Sequence, residues 1–284
     1  MKTQLALAAA LALTGTVHAS VISDDFEADT SADYTVVDTG DVSTTFAFDY
    51  VGAGIPLAPN SAPGTTNGLR MTANDTVGAA TAQTAFHNTI LTGVPGYVMT
   101  VDIYMGVTGT GGTTEFAHVG VAGDGSTVNS LFLPITGSGH FMAMTGEGGS
   151  SSDYRHSNAV TGLTNTGDPS YLNSTNTTNA TGDTYQAIFP NTDFPGSPGN
   201  TWTTLTIDNT GSVVQYALDG VPIILTESQA VDGYVSLGYG DLFSSIANPF
   251  QSQFIVYDNL KVTVPEPASV ALLGLAGLAL TRRH

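Results

Sequence analysis

The chain has 284 residues and no cysteine, with six Lys and Arg against 24 Asp and Glu, a formal net charge of −18. That balance speaks against nucleic acid and anionic membrane surfaces as partners, which need a basic footprint. Without cysteine there is no disulfide and no thiolate chemistry, so a folded core or a bound ion must supply the stability.

Lys2 is a charged n-region, residues 5–13 are an apolar h-region, and Val17-His18-Ala19 ends in small-residue cleavage chemistry. The pattern predicts a secretory signal peptide over residues 1–19, with Ser20 as the mature start. A body of residues 20–264 follows. It holds three basic residues, Arg70, Arg155 and Lys261, against 23 acidic ones, a balance of about −20. Such a surface favours divalent cations and neutral or cationic ligands, and is also common in secreted bacterial proteins.

Short alternating or apolar runs bounded by Gly, Asn, Asp and Pro recur through this body, and no window carries a 3.6-residue apolar stripe. They predict strands over 34–37, 45–50, 68–72, 84–91, 97–105, 115–121, 131–135, 140–144, 184–189, 202–207, 213–218, 222–225, 234–239 and 253–262. This is an all-β pattern, a single antiparallel sandwich. The run 97–105 alternates well and predicts a central strand. In the closing run, Phe254, Val256, Leu260 and Val262 share one phase, so one face is expected. Asp258 interrupts that face and needs a partner there or a bulge that turns it out. Residues 161–182 are Asn/Thr-rich and read as a long surface loop, and 194–199 as a Pro/Gly loop.

The stretch 202–223 begins with Trp202, turns at Asp208-Asn209-Thr210-Gly211, returns through Tyr216 and turns again at Asp219-Gly220. It resembles the hairpin of laminin-G-like and concanavalin A-like jelly rolls. An opening Asp24-Asp25-Phe26-Glu27 and a closing Tyr257-Asp258-Asn259-Leu260 fit the same group. The resemblance implies a jelly roll of concanavalin A-like type, with Trp202, Leu205 and Ile207 in its core. It also implies a structural calcium ion where the first and last strands meet, held by Asp24, Asp25, Glu27 and Asp258, since Ca²⁺ takes six to eight oxygens. The alternative is that Asp24 and Asp25 are solvated and Asp258 bonds to nearby backbone. The architecture hosts enzymes, lectins and adhesion modules alike.

Catalytic patterns are sparse. Glu27-Ala28-Asp29 is the only Glu-x-Asp, and Ser31 and Ala32 stand where a laminarinase-type motif needs its last glutamate. The central strand carries one carboxylate, Asp102. There is no Gly-x-Ser-x-Gly elbow and no Walker sequence. His87, His118, His140 and His156 lack paired metal spacing. Residues 124–129 read as a turn, because Ile135 stands where an EF-hand places its closing glutamate. For sugar binding, Tyr239, Asp241 and Asn248 supply an aromatic platform, a carboxylate and an amide in one region, with Tyr104 and Tyr154 as further platforms; an ordinary loop is the alternative.

The chain closes with Pro265-Glu266-Pro267, an apolar run over 268–280, and Thr281-Arg282-Arg283-His284. The three parts, in this order, resemble the PEP-CTERM sorting signal of Gram-negative bacteria that make extracellular polysaccharide. Thirteen helical residues span about 20 Å against a hydrocarbon core of about 30 Å, a marginal crossing. Arg282 and Arg283 would stay cytoplasmic and everything before Pro265 outside. The resemblance implies a membrane-embedded sorting transpeptidase of exosortase type as partner, acting on segment 265–284. It also implies a destination at the cell surface or in the extracellular matrix. The expectation is an exported, non-catalytic lectin-like or structural protein meeting exopolysaccharide, with a secreted polysaccharide-active hydrolase or lyase on the same fold as the alternative.

Overall fold

The computed structural model describes residues 18–108, 115–131, 136–147, 153–158, 162–164, 168–172, 184–190, 192–243, 246–247 and 251–265. Residues 1–17 of the expected leader, the expected sorting residues Glu266, Pro267, Arg282 and Arg283, Asn248 and the expected strand after Leu131 lie outside them. Pro265 is the last residue of the last strand. Among the described residues no helix is long and apolar enough to cross a membrane.

Fifteen strands are described: β1 (His18–Asp24), β2 (Tyr34–Asp38), β3 (Val42–Asp49), β4 (Asn67–Ala73), β5 (Thr81–His87), β6 (Tyr97–Gly106), β7 (Glu115–Gly123) and β8 (His140–Met144) lead. Then come β9 (Tyr154–Asn158), β10 (Gly162–Thr164), β11 (Trp202–Asn209), β12 (Val213–Leu218), β13 (Val221–Glu227), β14 (Tyr234–Asp241) and β15 (Phe254–Pro265). They form two sheets. One runs β13-β12-β11-β6-β15-β4-β3, with β1 also paired to β15; the other runs β10-β9-β8-β7-β14-β5-β2. Neighbours along both paths are antiparallel. The fold is the expected β-sandwich of jelly-roll class, and β6 is central in its sheet.

The core lies between the sheets. Met99, Val101 and Ile103 of β6 and Leu205 and Ile207 of β11 meet Val119 and Val121 of β7 and Leu237 and Tyr239 of β14. Strand β11 shows why the sequence does this: its residues alternate between partly exposed and buried along its whole length, the period-2 pattern of a strand with one face in the core. The β12–β13 turn is two residues, Asp219 at φ 48° and Gly220 at φ 79°. A tight hairpin turn needs positive φ at both positions, and Asp-Gly supplies it.

Four expectations need correction. The segment expected as a strand over 184–189 is a short helix, α1 (Thr184–Ile188); Tyr185 is buried, its ring stacked on Tyr154 at 4.2 Å. The supposed surface loop 161–182 contains β10 and a buried Tyr171 bridged to Ile224. Trp202 is outside the core: it is half-buried on the outer face of its sheet, against Tyr50 and Tyr104. Finally, the single phase expected for the closing strand is broken. Ile255 and Tyr257 face the core, and so do Leu260 and Val262, whereas Val256 belongs to the outer cluster.

A bulge causes that switch. On β15, Asp258 faces Asp102 and Lys261 faces Thr100, so three steps on β15 match two on β6. The extra residue falls at Asn259-Leu260, and Asn259 sits at φ 53°, a left-handed conformation that Asn tolerates better than most residues.

The sheets are also joined by a hydrogen bond. Tyr257 OH on β15 donates to the carbonyl of Gly238 on β14 at 2.6 Å. Tyr257→Phe keeps the ring but removes the donor to that carbonyl, and is expected to destabilise the fold by about 1–2 kcal/mol in urea titration with an unchanged m-value.

Candidate functional site

Antiparallel register stacks the outer face of the first sheet into rows. Trp202, Tyr104 and Val256 lie side by side across β11, β6 and β15. The next row is Thr204, Asp102 and Asp258, and after the bulge comes Thr206, Thr100 and Lys261. An aromatic row thus borders two polar ones. Residues 50–66, between β3 and β4, fold over the aromatic row. Ile55 and Ala58 pack with Tyr50, Tyr104 and Val256, and the indole N–H of Trp202 donates to the carbonyl of Pro56 at 2.6 Å.

The polar row is the centre of the site. Asp102 is fully buried and Asp258 is 1 % exposed. Asp102 Oδ1 accepts from Asn60 Nδ2 at 2.7 Å and from Thr204 Oγ1 at 2.6 Å. Its Oδ2 accepts from the Asn60 backbone N–H at 3.1 Å and from Asn259 Nδ2 at 2.9 Å. Asp258 Oδ2 accepts from Tyr50 OH at 2.9 Å and Ser61 Oγ at 2.8 Å, and its Oδ1 from the Asn259 backbone N–H at 2.7 Å. Asn259 Nδ2 also donates to Ser61 Oγ at 2.9 Å, tying the two carboxylates into one network. A buried carboxylate is costly unless its lone pairs are met; here donors from β11, the loop and the bulge meet them.

Beside this network opens a cleft of about 550 Å³. Its walls include Asn60, Asp102, Thr204, Asn259 and Lys261, with Asp24 and Asp25 from β1 and its exit. Asp102 was legible as the lone carboxylate of the central strand. Asn60 and Asn259 were not singled out by sequence, because a loop and a strand far apart in the chain meet only in the fold. The Asp258-Asn259 break in the strand pattern was the available signal.

The residues named for calcium do not fit that ion. Among the described residues no group of three or more His, Asp or Glu is placed to hold a metal. Asp24 accepts from the Phe26 backbone N–H at 2.8 Å, from Thr30 Oγ1 at 2.8 Å and from Tyr34 OH at 3.0 Å. One oxygen of Glu27 accepts two backbone N–H groups, Thr66 and Asn67, both at 2.8 Å. Asp25 is exposed and accepts from the Glu27 N–H. Internal donors thus take both oxygens of Asp24 and of Asp258 and one each of Glu27 and Asp25.

The first-named sugar residues also sit elsewhere. Tyr239 is 1 % exposed with its ring in the core and offers no face to a ligand. Asp241 is fully buried, bonded to Asn74 Nδ2 and to the Phe243 N–H. Tyr154 is buried, and Tyr104 is largely covered within the outer cluster. Asp124 accepts the N–H groups of Ser126 and Thr127, each at 2.8 Å, which is the expected turn. His156 Nε2 lies 2.7 Å from Ser170 Oγ, but that hydroxyl donates to Asp168 at 2.6 Å. Its proton is therefore committed to the carboxylate, and the imidazole is not placed to take it as a general base.

Two sets of groups give the fold opposed pH responses. Burial pushes the Asp258 carboxyl up to about 6, with the neighbouring Asp102 adding to the shift against the hydrogen bonds it accepts. Burial lifts Asp241 to about 6 as well. Burial lowers His118 to about 3 and His140 and His156 to about 4. A raised carboxyl adds stability that is complete below the unfolded value of 3.8 and is lost as pH rises through 6. A lowered histidine adds stability that is complete above 6.5 and is lost as pH falls towards 4. Asp258→Asn mimics the protonated acid. Its melting midpoint should exceed that of the wild type by a few degrees at pH 7.5, with the gap closing by pH 5. A gap independent of pH in calorimetry would show that Asp258 is not the titrating group.

No protein-family model matches the sequence, and no curated protein matches it. The fold is similar to several solved structures. One is a Bacillus subtilis protein of unknown function with a galectin-like fold, at 10 % identity and TM-score 0.45, covering 88 % of this chain and 100 % of that one. A second is the CBM2 module of the evolved Dit protein of Lactobacillus casei BL23 phage J-1, at 11 % identity and TM-score 0.46, covering 89 % and 98 %. A third is the exoplasmic/lumenal domain of VIP36 in its Ca²⁺/Man3GlcNAc-bound form, at 9 % identity and TM-score 0.44, covering 84 % and 86 %.

Proposed function

We propose that this chain is an exported, surface-sorted, non-catalytic protein that binds glycan in the cleft beside Asp102. The observation that carries the reading is the locked pair of amides. Asn60 and Asn259 both point their N–H groups at Asp102, so their orientation is fixed before any ligand arrives. A sugar presents neighbouring hydroxyls at fixed spacing, and a few pre-set polar groups in a concave wall are what orients such a ligand. The leader over residues 1–19 and the tail over 265–284 support export, processing by an exosortase-type transpeptidase and delivery to a matrix of exopolysaccharide.

One observation favours a second reading, a polysaccharide-active enzyme. Asp102 and Asp258 are a facing carboxyl pair with Asp258 held near 6, the range of a general acid. Against it, Asp258 does not line the cleft, and each of its oxygens is already bonded.

Affinity electrophoresis against the host exopolysaccharide and a broad glycan panel tests the first reading. Wild type should be retained, and Asn60→Ala should lose about tenfold or more in affinity, since it removes both the amide and its hold on Asp102. No retention across the panel sinks glycan binding. Release of reducing ends or unsaturated products from those same polysaccharides would install the enzyme instead.

A further inference from the structure

We infer that the cleft selects by charge, taking uncharged glycans that donate hydroxyl protons and turning away those bearing uronate or sulfate. The inference rests on the glycan-binding reading and follows from where the hydrogens of the wall point. Asn60 Nδ2 spends its two hydrogens on Asp102 Oδ1 and Thr204 Oγ1. Asn259 Nδ2 spends its two on Asp102 Oδ2 and Ser61 Oγ. The Thr204 hydroxyl gives its hydrogen to Asp102 as well. Five donor hydrogens are therefore drawn inward, three by the buried carboxylate, one by Ser61 and one by Thr204. An amide has one acceptor oxygen besides its two donors. The Oδ1 of Asn60 and of Asn259 accept no hydrogen bond among the described residues, so of these two amides the acceptor oxygens are what is left for a ligand, alongside the neutral hydroxyls of Ser23 and Thr100.

The remaining walls point the same way. Asp25 is exposed at the cleft, with Asp24 beside it, and Lys261 is the one basic residue lining it. Arg70 is not available to add to Lys261: its guanidinium lies between the rings of Phe48 and Phe254, at 5.2 and 5.1 Å from their centroids, and donates to the Gln251 carbonyl. Recognition of a carboxylate or sulfate calls for several inward donors or a guanidinium fork. This cleft offers amide oxygens, neutral hydroxyls and three aspartates against one lysine instead.

The test uses matched pairs: dextran, laminarin and a neutral galactan, each against its own carboxymethyl derivative, at 20 mM and 500 mM NaCl. At low salt a retained neutral glycan should bind about tenfold more tightly than its derivative, and salt should narrow the gap by screening. Asp25→Asn should narrow the low-salt gap and Lys261→Gln widen it, each read as the ratio of neutral to carboxymethyl affinity within the same variant. Equal or tighter binding of the carboxymethyl form overturns the charge selection while leaving glycan binding intact. Retention of no member of any pair overturns the glycan reading itself, and the selection falls with it.

Discussion

Two carboxyl groups facing each other across adjacent strands set the terms for the outer face of this sandwich. Asp102 and Asp258 are opposite in register, and both are removed from water. Burying two acids side by side is unfavourable unless each is met by donors or keeps its proton. The chain uses both remedies. Four donors converge on Asp102, while Asp258 holds its proton to about pH 6. Every nearby irregularity answers to that requirement. The loop 50–66 lies on the sheet because Tyr50, Asn60 and Ser61 are needed there. The bulge at Asn259 aims its side-chain amide at Asp102 and its backbone N–H at Asp258. The cleft is the space left beside these groups once they are in place.

Much of the architecture was legible in the chain because strand alternation is local. Trp202–Asn209 and Val213–Leu218 are half-in, half-out strands joined by turn residues that tolerate positive φ, and they read as such. The failures at Tyr185 and Trp202 share one cause: a non-local partner overrides the local pattern. Tyr185 sits in a helix because its ring can stack on Tyr154 from another part of the fold. Trp202 looks like a core residue until residues 50–66 are known to cover the opposite face of its sheet. The last strand reads as one phase until a single inserted residue moves Leu260 and Val262 to the side occupied by Tyr257.

The site was legible only in part for the same reason. Asp102 stands out as a carboxylate in an otherwise apolar central strand, and Asp258 as a break in the closing one. Their donors come from β11, from the bulge at Asn259 and from residues 50–66, which the strand pattern of the sequence leaves unassigned. Tyr239 and Asp241 looked suited to a ligand because a tyrosine, glycines and an aspartate near a loop resemble a sugar site in one dimension. In three dimensions alternation sends the Tyr239 ring into the core, and Asp241 spends its oxygens on Asn74 and the Phe243 amide. Residue type was the right clue to chemistry, but the face of the sheet decided which residues exercise it.

The division of the outer face also bears on how tightly such a site can hold anything. The aromatic row is already used: Trp202 and Tyr104 pack beneath Ile55 and Ala58, and none of the residues lining the cleft is aromatic. A ligand there exchanges hydrogen bonds with water for hydrogen bonds with amides and hydroxyls, which nets roughly 0.5–1.5 kcal/mol each. It gains no ring stacking and pays the ordering cost of association in full. Single-site affinity on the proposed reading is therefore modest. A protein that is presented in many copies at a surface, to a polymer that repeats the same unit, does not need more, because effective concentration supplies what each contact lacks. On the proposed reading a pre-ordered polar cleft suits that setting, and it leaves the aromatic row free to anchor residues 50–66 on the sheet.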